Sequence, residues 1–237
     1  MLAGFEPITA QVVEVGVIDT RTGNITILDP WAETRAVAAG VVVVNGLPGA
    51  GKTTLATALA AELGAVLLSK DAVKEALATV LPASAVVPDL GVVAIEAVWS
   101  LARRLPGVVV VESWWFRSRD LRFAEVELRS VGADRAVEIW CDVPAEVARE
   151  RYATRVRSPL HDDARRLARD WDEWAAGAEP LALTPVLRVD TSRPVDLLPL
   201  AAAVRDLVNP GGRTGSGPGR GTGRGGGREG PPSARPG

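Results

Sequence analysis

Between residues 40 and 208 the chain alternates short, almost wholly apolar runs with longer stretches in which apolar positions recur at helical spacing. Runs at residues 41–45, 66–69, 108–112, 136–141 and 186–190 predict five strands, each followed by a helical segment. A strand that reads as a continuous apolar run has both faces covered, the habit of parallel sheets flanked by helices. The pattern predicts an α/β fold built on a parallel sheet. Ligands of such folds bind beyond the carboxyl ends of the strands, so the residues that follow each run are where chemistry is sought.

The two ends break this alternation. Residues 12–31, VVEVGVIDTRTGNITILDPW, place two β-rich runs around a Thr-Gly-Asn turn and predict a hairpin within an N-terminal extension, residues 1–39. Residues 209–237 are nearly all Gly, Pro, Arg, Ser and Thr, which bury too little apolar surface to offset the entropy of ordering, and predict a disordered tail. A Gly/Arg tail is either a solvated extension or a binder of RNA and anionic surfaces. The domain between them is residues 40–208.

Composition narrows the classes. Of the 237 residues, 47% are hydrophobic, ample for a core. The net charge is −2, and because the tail holds five arginines against one glutamate, the remainder is more acidic than that figure. An acidic body argues against a nucleic-acid surface on the folded domain and against a kinase of nucleic-acid ends. The longest apolar stretch, residues 36–44, is about half of what a bilayer span needs. A cytoplasmic protein without membrane partners is expected. Cys141 and His161 are the only residues of their kinds, so neither a disulfide nor a Cys/His zinc cluster can form within the chain, and any metal is expected to be held by oxygen.

GLPGAGKT, residues 46–53, satisfies G-x-x-x-x-G-K-[ST] with a strand before it and a helix after it, the Walker A context. Gly46, Gly49, Ala50, Gly51, Lys52, Thr53 and Thr54 are the candidate phosphate-binding residues. Glycines let backbone amides point at phosphate oxygens, the helix directs its positive end at them, and Lys52 adds a full charge. Thr53 is the candidate Mg²⁺ ligand. The three asparagines, Asn24, Asn45 and Asn209, are not followed by lysine, so the Asn-Lys-x-Asp guanine reader is missing and ATP is the expected nucleotide.

After the second strand, LLSKDAVKEAL puts Lys70 and Asp71 at a strand's carboxyl end and a helix start, where both are candidates for contact with a phosphoryl acceptor. Asp71 there is either a base for an attacking hydroxyl or an ordinary helix cap. Behind the third strand comes SWWFRSRD. Trp114 and Trp115 either wall an apolar acceptor or pack beneath the next helix, and Arg117 and Arg119 are candidates to hold its phosphate or carboxylate. Trp171 and Trp174, three apart, read as core positions. A further segment, ERYATRVRSPLHDD, brings Arg149, Arg151, Arg155 and Arg157, with Ser158-Pro159 expected to start the next helix. Arg151 and Arg155, four apart, are expected on one helical face. RVDTSRP predicts a strand end at residue 190 and a helix begun by Pro194.

Phosphate loop, SKDAVKEAL, VVVVES and ERYATR, in this order, resemble the small P-loop kinases of bacteria: AAA-type kinases, chloramphenicol phosphotransferase, gluconate kinase and the zeta toxins. The resemblance spans residues 41–208 and implies a nucleoside-monophosphate-kinase-like sheet of order 2-3-1-4-5 with helices on both faces. It implies that Asp71 meets the acceptor hydroxyl, that Glu112 at the third strand's end helps hold Mg²⁺, and that residues 149–162 form a lid. Arg151 and Arg155 match the family's lid arginines, which stabilise the transferred phosphoryl. In those kinases the loop that corresponds to the one holding Arg193 runs along the adenine, and the resemblance implies the same here. Where relatives carry aspartate the chain has Glu112, one methylene longer, so the residue holds either the metal directly or a water. The implied activity is ATP- and Mg²⁺-dependent phosphoryl transfer to a hydroxyl of a small molecule: an antibiotic, sugar, nucleoside or nucleotide-sugar. The rival is an ATP-binding switch that hydrolyses slowly and recruits a partner.

Overall fold

The computed structural model describes residues 16–18, 25–27, 40–82, 87, 89–132 and 135–208. Strands β1 (Gly16–Ile18) and β2 (Ile25–Ile27) pair antiparallel, with Gly16 opposite Ile27. The remainder of the expected extension, and the tail from residue 209 on, lie outside the described residues.

The main sheet holds β3 (Gly40–Asn45), β4 (Val66–Ser69), β5 (Val108–Glu112), β6 (Ala136–Asp142) and β7 (Val186–Asp190), all parallel, in the order β4-β5-β3-β6-β7. Counted from β3 along the chain this is 2-3-1-4-5. Among the described residues seven α-helices connect and cover the strands: α1 (Lys52–Leu63), α2 (Lys70–Thr79), α3 (Leu90–Ala102), α4 (Arg117–Val131), α5 (Ala145–Thr154), α6 (Asp163–Ala176) and α7 (Leu197–Val208).

The valine run of β3 explains the layering. Successive strand residues point to opposite faces. Val42 and Val44 join one core with Leu55 and Leu59 of α1 and Val204 of α7; Val41 and Val43 join the other with Val98 and Trp99 of α3 and Leu128 of α4. Both faces are buried, so no polar alternation survives in the sequence.

Two strands are one residue longer than expected, and three helix boundaries differ from the sequence expectations. Helix α7 starts at Leu197 rather than at Pro194, because the Asp196 carboxylate accepts a hydrogen bond from the Leu198 N–H and so caps the first turn there. Ser158 caps only a 3-10 turn, Pro159–His161, and α6 begins at Asp163. Helix α5 ends at Thr154, so Arg155 is extended (ψ 139°) and does not continue the helical face of Arg151. On an extended stretch residues two apart share a side, and Arg155 and Arg157 together grip Asp163.

Candidate active site

Strands β4, β5 and β3 end side by side, and their terminal side chains meet. In register, Ser69 lies opposite Glu112, and Glu112 opposite Val44. The buried Glu112 carboxylate accepts one hydrogen bond from the Ser69 hydroxyl (2.6 Å) and one from the Thr53 hydroxyl (3.2 Å). Asn45, fully buried, accepts from the Gly46 N–H (2.7 Å) and the Trp115 N–H (3.0 Å), fixing the start of the phosphate loop against the β5–α4 connection.

The loop itself is closed on its own backbone, Ala50 N–H donating to Leu47 O (2.9 Å). Lys52 folds over it and donates to the same carbonyl (2.9 Å). Burial pushes the Lys52 ammonium below its ordinary range, with the Glu112 charge the strongest influence opposing that shift. A buried ammonium satisfied by one carbonyl is poised to exchange it for a stronger, anionic acceptor. Gly49 has φ +87°, and the loop there lies against the backbone of α5 at Ala148.

On the β7 side a cavity of about 460 Å³ is lined by Gly51, Thr54, Leu55, Ala58, Arg151, Thr191, Arg193, Pro194, Val195 and Leu197. Thr191 pins its wall, donating its hydroxyl to Ala50 O (2.7 Å) and its N–H to Asp142 O (3.0 Å). Arg151 braces the same loop through Thr191 O (3.0 Å) and Ser192 O (3.2 Å). Arg193 pairs with Asp190 at 3.0 Å on the exposed rim.

On the β4 side Asp71 occupies the first turn of α2. The cap position belongs to Ser69, whose hydroxyl serves Glu112 instead of the helix, and the Asp71 carboxylate turns away to Arg157 (2.5 Å). Its pKa balances burial, which raises it, against the larger combined effect of the Arg157 guanidinium, His161 and Lys70; the result lies below the usual carboxylate range. His161, 4% exposed, places Nε2 2.7 Å from Glu75 and Nδ1 3.8 Å from Asp71. Lys74 donates to Leu160 O (3.0 Å). Residues 71, 74 and 75 of α2 thus hold the 157–161 segment along one face.

Asp163 anchors the base of that segment. Its carboxylate accepts from Arg155 (3.0 Å), Arg157 (2.6 Å) and the Tyr152 hydroxyl (3.0 Å), and Arg155 also lies over the Tyr152 ring at 4.1 Å. Burial alone would raise the Asp163 pKa, but the hydrogen bonds from Arg157 and Arg155 hold it far below the ordinary range.

The aromatic pair packs against the two cores, one ring on each face of the sheet. Trp115 is 2% exposed and packs between Trp99 and Phe123, at ring distances of 5.9 and 6.4 Å. Trp114 points to the opposite face of the sheet and packs on Phe116 (5.8 Å) and Trp174 (6.4 Å). Consecutive residues leaving a strand take opposite faces, and both faces here are core. Arg117 lies 3.7 Å from Glu179, and Arg119 is bound to Asp120 by two 2.7 Å hydrogen bonds. Trp171 and Trp174 are core residues.

The sequence reading passed over one buried network. Glu138, 2% exposed within β6, accepts from Asn45 Nδ2, Leu181 N–H and Ala182 N–H, each at 2.9 Å. It ties the loop before β7 to the residue that opens the phosphate loop. A lone acidic residue within the apolar run AVEIWC was the available signal.

A parallel sheet of this order, a phosphate loop between its central strand and α1, and paired hydroxyl and carboxylate side chains beside that loop define a P-loop nucleotide-binding α/β protein. The model of the AAA domain family matches residues 41–181, and the chain belongs to that family. No curated protein matches the chain. Among solved structures, a protein put forward as a kinase from Chloroflexus aurantiacus is 26% identical, with 71% of this chain and 97% of that one covered and a TM-score of 0.56. A gluconokinase from Sinorhizobium meliloti is 18% identical over 72% of this chain and 88% of its own, with a TM-score of 0.44. The tunicamycin resistance protein of Deinococcus radiodurans is 18% identical over 71% and 95%, with a TM-score of 0.44. Among the described residues no helix is long and apolar enough to cross a membrane.

Proposed function

We propose that this chain is an ATP- and Mg²⁺-dependent kinase that transfers the γ-phosphoryl group to a hydroxyl of a small molecule. One observation carries the reading. Glu112 joins the Thr53 hydroxyl of the phosphate loop to Ser69, and Asp71 follows two residues later, at the end of the strand that this carboxylate ties to the loop. The similarity to the Chloroflexus aurantiacus protein, described as a kinase, supports the same activity.

The base of ATP fits the cavity bounded by Thr54, Arg151 and Val195, while Lys52 and the amides from Gly46 to Thr54 meet the phosphates. The oxygens of Thr53, Ser69 and Glu112 are a donor set suited to Mg²⁺. Among the described residues no group of three or more His, Cys, Asp or Glu side chains could hold a metal, so the ion would be shared between Thr53, the phosphates and water, with Glu112 orienting that water. Held by these residues, Mg²⁺ would supply positive charge that offsets the charge of the phosphates.

Asp71, kept ionised by its neighbours, orients the acceptor hydroxyl and receives its proton as the hydroxyl oxygen bonds the γ-phosphorus and the bond to the β–γ bridging oxygen breaks. The products are the phosphorylated acceptor and ADP. Arg157 occupies Asp71 before the reaction and, with Arg155 beside it on Asp163, supplies positive charge for the transferred group once released. Arg151 acts on the base loop through the carbonyls it braces.

The test is a screen of hydroxyl-bearing metabolites and antibiotics with γ-labelled ATP, read by mass spectrometry for the gain of one phosphoryl group. Asp71→Asn is expected to lower transfer by ~10²–10⁴-fold, the usual worth of a general base, while ATP affinity stays within about twofold. Release of inorganic phosphate alone, unaffected by Asp71→Asn, would establish the slow-ATPase switch instead.

A further inference from the structure

Glu138 sets a carboxylate between two valines: in register it lies opposite Val43 of β3 and Val186 of β7. A carboxylate at such a place costs more than an apolar side chain unless donors meet it, and three converge on this one. Asn45 Nδ2 and the Leu181 N–H both reach Oε1, and the Ala182 N–H reaches Oε2. Ala182 holds φ +53°, a left-handed conformation that a residue with a Cβ keeps only where its surroundings impose it.

The chemistry of the acceptor decides what Asn45 does. A carboxylate accepts and never donates, so Glu138 admits only the NH2 edge of the Asn45 amide. The oxygen edge is thereby turned onto the N–H groups of Gly46 and Trp115. A reversed amide would set its NH2 against those two donors. Gly46, at φ +143°, is where the chain turns out of β3 into the phosphate loop, and Trp115 lies in the β5–α4 connection, three residues after Glu112. The start of the loop and the connection that follows Glu112 therefore depend on one amide orientation. Glu138 fixes it from within the sheet, since its partner Val43 stands two residues short of the end of β3.

Resting only on the ATP binding in the reading above, we propose that Glu138 is a positioning residue for the nucleotide: through Asn45 it sets the start of the phosphate loop, so that ATP affinity, and not stability alone, depends on it.

A double-mutant cycle on the full chain tests this, read as the dissociation constant for ATP with Mg²⁺ by isothermal titration, well below the Tm of each variant. Glu138→Ala and Asn45→Ala should each weaken ATP binding ~10-fold, and the double variant should bind within about twofold of the weaker single, because both remove the same link. Glu138→Gln keeps one acceptor oxygen and should recover part of the loss. A Glu138→Ala chain that melts lower but binds ATP within about twofold of the parent would reduce Glu138 to a structural residue and overturn the proposal. Losses that multiply in the double variant would overturn the route through Asn45. Hydrogen exchange on the parent needs no variant to fold: by reciprocity ATP should slow the Leu181 and Ala182 amides more than those of Val109 and Val110, which report global stabilisation, and equal slowing would overturn the link. A folded parent that ignores ATP would overturn the ATP-binding reading and this inference with it, a result distinct from ATP binding that survives Glu138→Ala.

Discussion

Replacing Gly49 by alanine puts a Cβ into the backbone of α5: it falls inside contact distance of the Ala148 carbonyl oxygen and 3.0 Å from both Ala148 C and Tyr152 N. None of these atoms belongs to a side chain that can swing aside. Gly51 provides the internal control. Its φ of +84° nearly equals the +87° of Gly49, but a Cβ there meets only the Thr191 Cβ at 3.8 Å, an ordinary contact. Left-handed backbone costs an alanine about 1–2 kcal/mol at either position. Overpacking adds roughly 1–3 kcal/mol at Gly49 alone. For a chain of this size, each kcal/mol moves Tm by about 2–4 °C. Gly51→Ala should therefore melt ~2–8 °C below the parent and Gly49→Ala ~4–20 °C below it, as read by circular dichroism or calorimetry. Gly49→Ala should also weaken ATP binding more than Gly51→Ala, because the loop must back away from α5 or change shape. Equal melting of the two variants would refute the close approach of the phosphate loop to α5.

Two further outcomes follow from buried charge. Asp163 has its folded pKa depressed by Arg157 and Arg155, so the stability it supplies is complete above its unfolded value, about 3.9, and is lost as pH falls through the lower folded value. At pH 7 Asp163→Asn should destabilise by roughly 1–3 kcal/mol, discounted for partial exposure, and the Tm gap to the parent should close as pH drops below about 4; a gap unchanged from pH 7 to pH 3 would contradict the pairing. Cys141 is buried and its thiol pKa is pushed up to about 12, so a thiol reagent at pH 8 should label the unfolded chain and spare the folded one; rapid labelling of the folded protein would remove Cys141 from the core.

Much of this architecture is legible in the sequence because it is local. The valines of β3 read as a strand buried on both faces, and residues 46–53 carry their chemistry in contiguous order between that strand and α1. What escaped depends on direction or distance. Nothing in SWWF says which tryptophan takes which face, and the structure gives Trp115 to Trp99 and Trp114 to Trp174. The four-residue spacing of Arg151 and Arg155 implies one helical face only while the helix lasts, and α5 stops at Thr154. Asp71 and Arg157 are 86 positions apart, and Asn45 and Glu138 are 93 apart, separations over which no periodicity reports contact. Arg157 stood in the arginine cluster, but only its 2.5 Å approach to Asp71 distinguishes it from its neighbours.

The central claim is that the loop from Gly46 to Thr53 and the Lys52 ammonium grip the phosphates of ATP. Isothermal titration of the folded chain with ATP and Mg²⁺ measures this directly. One site with a dissociation constant of ~1 μM to 1 mM is expected, the range in which enzymes hold their substrates, and Lys52→Ala should weaken it at least ~10-fold. A folded chain that releases no heat with ATP, or that binds it equally well after Lys52→Ala, would contradict the account.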